Sequence, residues 1–107
     1  MKLIRNLTAE DKLRNGEDVI YLTELKQKTT AICNKLFEEA SELAHEVRKK
    51  GENRENLIEE IVDVQDVTLA ILELFDISFE ELQRVANKKQ KEKGTFGHFT
   101  ATLQRKK

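Results

Sequence analysis

Glu39 and Glu42, in the stretch FEEASE, and Glu60 and Asp63, in EEIVD, form two acid pairs, each spaced i, i+3. Three residues is close to one helical turn, so each pair projects from one side of a helix. Seventeen residues separate Glu42 from Glu60, enough to finish one helix, turn through KKGEN and begin the next. Antiparallel packing of two such helices brings the pairs together. Converging carboxylates in a poorly solvated place either take up protons or bind a cation. An all-oxygen donor set favours a hard ion, so the expected cofactor is Mg²⁺, with Mn²⁺ as a substitute.

The surroundings of the second pair make it informative. Glu60 and Asp63 lie in LIEEIVDVQDVTLAIL, residues 57–72, among the most apolar stretches of the chain. Burying a carboxylate is costly unless its charge is compensated. On a helical projection Glu60 and Asp63 share a face with Val67, Ala70 and Leu74, while Glu59, Asp66 and Glu73 turn to another side. The preceding helix shows an apolar stripe of Ile32, Leu36, Ala40, Leu43 and Val47. Glu39 borders that stripe, Glu42 lies about 60° further round, and Glu38 and His45 point away from it. EExxE alone is common on the exposed face of a Glu/Lys-rich helix; the pairing of two such sets carries the metal reading.

Four helices position these residues. The first follows Thr8, a candidate N-cap, and stops near Gly16. The second begins after Thr23 and runs to Lys50, with Gly51 as its stop and basic residues in its last turn. The third starts after Asn53 and ends near Phe75. DISFEE then sets Glu81 three residues after Ser78, a capping box for a fourth helix from about Phe79 to Lys93, closing at Gly94. Segment 17–22 reads as a short strand or a linker, and the residues after Gly94 as irregular. The fold class is all-α, a small bundle of about four helices with helices two and three as a long antiparallel central pair. Residues 1–107 read as a single domain.

Composition narrows the function classes. With 36% charged residues, no Pro and four Gly, the chain suits charged helices better than a turn-rich β protein. Its net charge of −1 gives no general pull toward nucleic acid or membrane. The basic NKKQKEKG and terminal QRKK stretches lack interleaved aromatics apart from Phe96 and Phe99, so nucleic-acid binding is not expected. One cysteine, Cys33, allows no internal disulfide and reads as a quiet core thiol. No apolar run reaches the length of a membrane span and no secretory leader is evident, so a cytoplasmic protein is expected. Glu42 and His45 form a Glu-x-x-His, but His98, the second histidine, has no matching acid. A di-iron bundle and a structural zinc site therefore both lack ligands.

EEASE (38–42) followed by EIVD (60–63) resembles the EExxE…ExxD motif of the all-α nucleoside triphosphate pyrophosphohydrolases, the MazG-like superfamily. KLIR at the start, NKLFEEASEL, EEIVDVQDV and KKQKEKGTFGHF are similar to its short house-cleaning or phosphoribosyl-ATP pyrophosphohydrolase-like branch. The resemblance covers most of the chain in order. It implies Mg²⁺ held by Glu39, Glu42, Glu60 and Asp63, with Glu38 as an auxiliary acid beside Glu39. It also implies cleavage of a nucleotide between its α and β phosphates to a monophosphate and pyrophosphate. Arg5, Asn87, Lys89 and Lys93 are the candidates for neutralising the outer phosphates. The chain departs from the branch in having RNL where RDK is usual, and Lys93 where Arg often precedes the glycine; lysine keeps the charge and loses the bidentate fork. Relatives form homodimers or homotetramers, and a small chain with few helices is expected to do the same. The rival readings are a non-catalytic helical partner protein that kept the fold, and a phosphoribosyl-ATP pyrophosphohydrolase.

Overall fold

The turn between the second and third helices sets the geometry of everything around the acids. A computed structural model describes residues 1–103 and contains four helices in the order α1 (Asn6–Arg14), α2 (Leu25–Arg48), α3 (Arg54–Leu74) and α4 (Phe79–Lys93). No strand occurs among the described residues, and segment 17–22 is a linker. Helix α2 ends at Arg48, two residues before the sequence-based boundary, because Lys50 and Gly51 both take positive φ, 60° and 70°. That left-handed pair reverses the chain, and glycine carries its half of it without the steric cost a side chain meets there. Asn53 then restarts the helix: its side-chain oxygen accepts from the Asn56 backbone N–H at 3.1 Å, satisfying one of the donors left open in a first turn. The short connection forces α2 and α3 to pack side by side and antiparallel.

Two compact units divide the chain, Met1–Phe75 and Asp76–Lys107. The first contains α1 and the α2–α3 pair, with Ala9, Ala31, Ile32 and Val67 as its buried apolar residues. Its N-terminal residues, the 17–22 linker, the start of α2 and the end of α3 enclose an open cleft of about 810 Å³, lined mainly by apolar side chains such as Leu3, Ile4, Val19 and Leu74. The second unit contains α4. Its capping box is formed as the spacing implies: Ser78 Oγ accepts from the Glu81 N–H at 3.1 Å, and Glu81 Oε2 accepts from the Ser78 N–H at 3.3 Å. The helix closes at Gly94, φ 75°. No helix of the described residues is long and apolar enough to cross a membrane. The terminal QRKK stretch lies outside the described residues.

Three sequence-based expectations are corrected. Helix α1 starts at Asn6, with Arg5 rather than Thr8 at its N-cap; the Arg5 carbonyl accepts the Ala9 N–H at 3.0 Å, while its side chain reaches α3. Helix α2 is rotated from the expected stripe: Ile32 is buried, but Ala40 and Val47 are exposed and Glu39 and Glu46 are buried in their stead. Cys33 is exposed, on the same outward face as Phe37 and Ala40. Two apolar faces compete on α2, and the one with Glu39 at its centre meets α3.

Candidate metal centre

That rotation puts Glu39 where the helices meet. It is 6% exposed, and its Oε1 lies 3.0 Å from Lys35 Nζ, one turn earlier on α2. Its Oε2 is buried with no hydrogen-bond partner. Across the pair, Glu60 Oε2 is also buried and unpartnered. A carboxylate oxygen from each of Glu39, Glu42 and Glu60 lies within 4.8 Å of the others. Glu42 is exposed overall yet turns one oxygen into this group, in agreement with its place just beyond the stripe. Burial, and then the negative charges of Glu42, Asp63 and Glu39, push the Glu60 carboxyl above the ordinary carboxylate range. The second such buried acid on α2, Glu46, is not part of this group and is paired with Lys49 at 3.3 Å.

Unpaired buried oxygens are costly, and both belong to residues of this three-carboxylate group. A divalent cation suits that donor set: all ligand atoms are oxygen, the charge is in excess, and two of the three residues carry a buried oxygen with no hydrogen-bond partner. The residues present therefore fit a hard divalent ion, which Glu39, Glu42 and Glu60 would hold.

Asp63 is placed differently. Its Oδ1 accepts from Arg5 Nη2 at 2.7 Å, and Asp66 Oδ2 accepts from Arg5 Nη1 at 2.7 Å. Asp66 is half-buried on the same side as Asp63, not turned to another face; its i, i+3 spacing from Asp63 was the signal for this. Glu59 is exposed, as expected. Glu38 is half-buried rather than turned to solvent, 2.9 Å from Lys2 Nζ and 3.6 Å from Lys35 Nζ. The Lys2 ammonium holds the Glu38 carboxyl below the ordinary range, and Glu38 raises Lys2 in return. Lys2, Lys35 and Asp66 are the site residues that sequence reasoning missed. Lys35 could have been found from its position four residues before Glu39; Lys2 had no local signal, since its partner is 36 positions away along the chain.

On α4, Asn87 Oδ1 accepts from Gln83 Nε2 at 2.8 Å, and Lys89 and Lys93 are exposed on the last two turns. These three belong to the second unit.

A family model described as phosphoribosyl-ATP pyrophosphohydrolase matches residues 6–92. The matched span takes in all four acids of the two pairs together with Asn87 and Lys89; Arg5 and Lys93 flank it. No curated protein and no solved structure matches the chain.

Proposed function

The chain belongs to the phosphoribosyl-ATP pyrophosphohydrolase family, within the MazG-like superfamily, and on that premise we propose that it is a Mg²⁺-dependent nucleotide pyrophosphohydrolase. The observation that carries the proposal is the convergence of Glu39, Glu42 and Glu60 within 4.8 Å, with two buried oxygens left unpartnered. Water attacks the α-phosphorus of a nucleoside triphosphate, canonical or non-standard, the α–β P–O bond breaks, and the products are a monophosphate and pyrophosphate. When bound, Mg²⁺ supplies Lewis-acid polarisation of phosphate oxygens and lowers the pKa of a coordinated water.

The chain's own residues do the rest. Glu39, Glu42 and Glu60 hold the ion, and Asp63 is the fourth ligand of the proposed set. Lys35 anchors the Glu39 carboxylate through Oε1 at 3.0 Å. Glu38, kept ionised by Lys2, is the auxiliary acid able to accept a proton from an attacking water. Arg5 is the first unit's candidate for neutralising the outer phosphates; Asn87, Lys89 and Lys93, on the basic helix α4 of the second unit, are candidates for that role by their chemistry and spacing alone. The exposed apolar face of α2, with Phe37 and Val47, and that of α3, with Ile58, Ile61 and Val62, support a homodimer or homotetramer as the acting species.

A second reading, phosphoribosyl-ATP as the substrate, is favoured by the matched family description and uses the same α–β cleavage. Pyrophosphate release from a panel of NTPs, dNTPs, non-standard nucleotides and phosphoribosyl-ATP, with and without Mg²⁺, separates the two. Metal-dependent turnover of at least one substrate is the expected result; none on any of them would overturn the enzyme reading. Glu39→Gln should lower kcat by at least about a hundredfold, the scale seen when a preorganised charged group is lost, with the helical circular dichroism retained.

A further inference from the structure

The four acids of the two pairs do not form one group. Three converge, and Asp63 is held apart by a cation from the N-terminal segment. One guanidinium spans one turn of α3, binding Asp63 and Asp66 through separate nitrogens, both at 2.7 Å. Three residues earlier, Lys2 pairs with Glu38 of α2 at 2.9 Å. Residues 2–5 are therefore a cationic strap laid over the acid rows of both helices.

We propose that Arg5 is a positioning residue that competes with the divalent cation for Asp63, holding this carboxylate out of the Glu39–Glu42–Glu60 group until metal enters. The proposal rests on the metal reading above. Without metal, Asp63 beside three other carboxylates is repelled by them, and Arg5 offers the nearest opposite charge. A dication reverses the sign of that field: it attracts Asp63 and repels the guanidinium. The pair is suited to exchange because the Arg5 side chain is 57% exposed, and ion pairs in contact with water are weak. Asp66 gives Arg5 a second anchor, so the guanidinium stays beside the site when Asp63 leaves it. Its freed donors then match the planar, bidentate geometry that a phosphate accepts. One residue thus couples metal loading to phosphate capture.

Mn²⁺ binding, followed by electron paramagnetic resonance at fixed ionic strength on the full chain, tests the competition directly. Arg5→Ala should bind Mn²⁺ roughly three- to tenfold more tightly than the wild type, the scale of losing a two-bond ion pair that is partly screened. Asp63→Asn should erase that gain, so that the double variant binds no more tightly than Asp63→Asn alone. Unchanged or weaker Mn²⁺ binding by Arg5→Ala overturns the proposal while leaving the metal site standing. A gain that persists in the Asp63→Asn background also overturns it, since the effect is then general charge removal. Absence of Mn²⁺ binding in every variant overturns the metal reading, and this inference with it. Arg5→Gln serves if the alanine variant loses helical structure. In a nucleotide titration Arg5→Ala should move the opposite way, weakening triphosphate binding as it tightens metal binding.

Discussion

At the scale of single residues, Glu60 is the most telling. Its carboxyl is raised by burial and by Glu42, Asp63 and Glu39, so the folded chain without metal keeps this proton to a higher pH than the unfolded chain does. The stabilisation that follows is fully present below the ordinary carboxylate pKa and is lost as pH rises through the raised folded value. Metal binding needs the ionised form, so the two trends oppose each other. Thermal unfolding between about pH 4 and 8 should show little Mg²⁺ effect at the acid end and a growing one toward neutrality. At a hundredfold excess of ion over its Kd that effect is about 2.7 kcal/mol. Glu60→Gln should raise the neutral-pH Tm of the metal-free protein and remove most of the Mg²⁺-induced shift. A Glu60→Gln variant that melts lower than the wild type without metal would show that Glu60 has a partner other than an ion.

At the scale of elements, the acids are only as well placed as the turn that aligns α2 with α3. Asn53 caps α3 seven residues before Glu60, and Asn53→Ala should cost about 1 kcal/mol by denaturant unfolding, the usual worth of an N-cap side chain. Gly51 takes φ 70°, and a Cβ there would only touch Leu57 Cδ2 at 3.6 Å. A Gly51→Ala change is thus destabilising through backbone conformation rather than crowding, by about 1 kcal/mol. Helix ends of this kind were legible in the sequence because they depend on residues a few positions apart. Asn53, Ser78 with Glu81, and Gly94 all perform the roles their spacing implies. Thr8 does not: α1 begins earlier, and its N-cap residue Arg5 sends its side chain to α3.

At the scale of the whole molecule, the notable fact is how little is fully covered. No described side chain is entirely buried, and Phe37 is 73% exposed. Cys33, Phe37, Ala40 and Val47 follow one another along α2 at intervals of four, three and seven, an exposed helical apolar stripe. Light scattering should therefore report a homodimer or larger. Phe37→Glu should shift that species toward monomer and lower the stability by an amount that depends on protein concentration. A wild-type monomer at micromolar concentration would remove the oligomer from the proposal.

Local chemistry was readable from the chain alone: four helices, their breaks, two i, i+3 acid pairs, and a donor set suited to a hard cation. Each depends on neighbours within about one helical turn, where periodicity and side-chain type suffice. Which face of α2 turns inward was not readable, because two apolar stripes lie side by side on it and only packing against α3 chooses the one bearing Glu39. Nor could spacing separate Asp63 from its three companions. That separation is made by Arg5, 58 positions away in sequence, and a charge so distant acts on Asp63 only once the tertiary fold brings the N-terminal segment across α3.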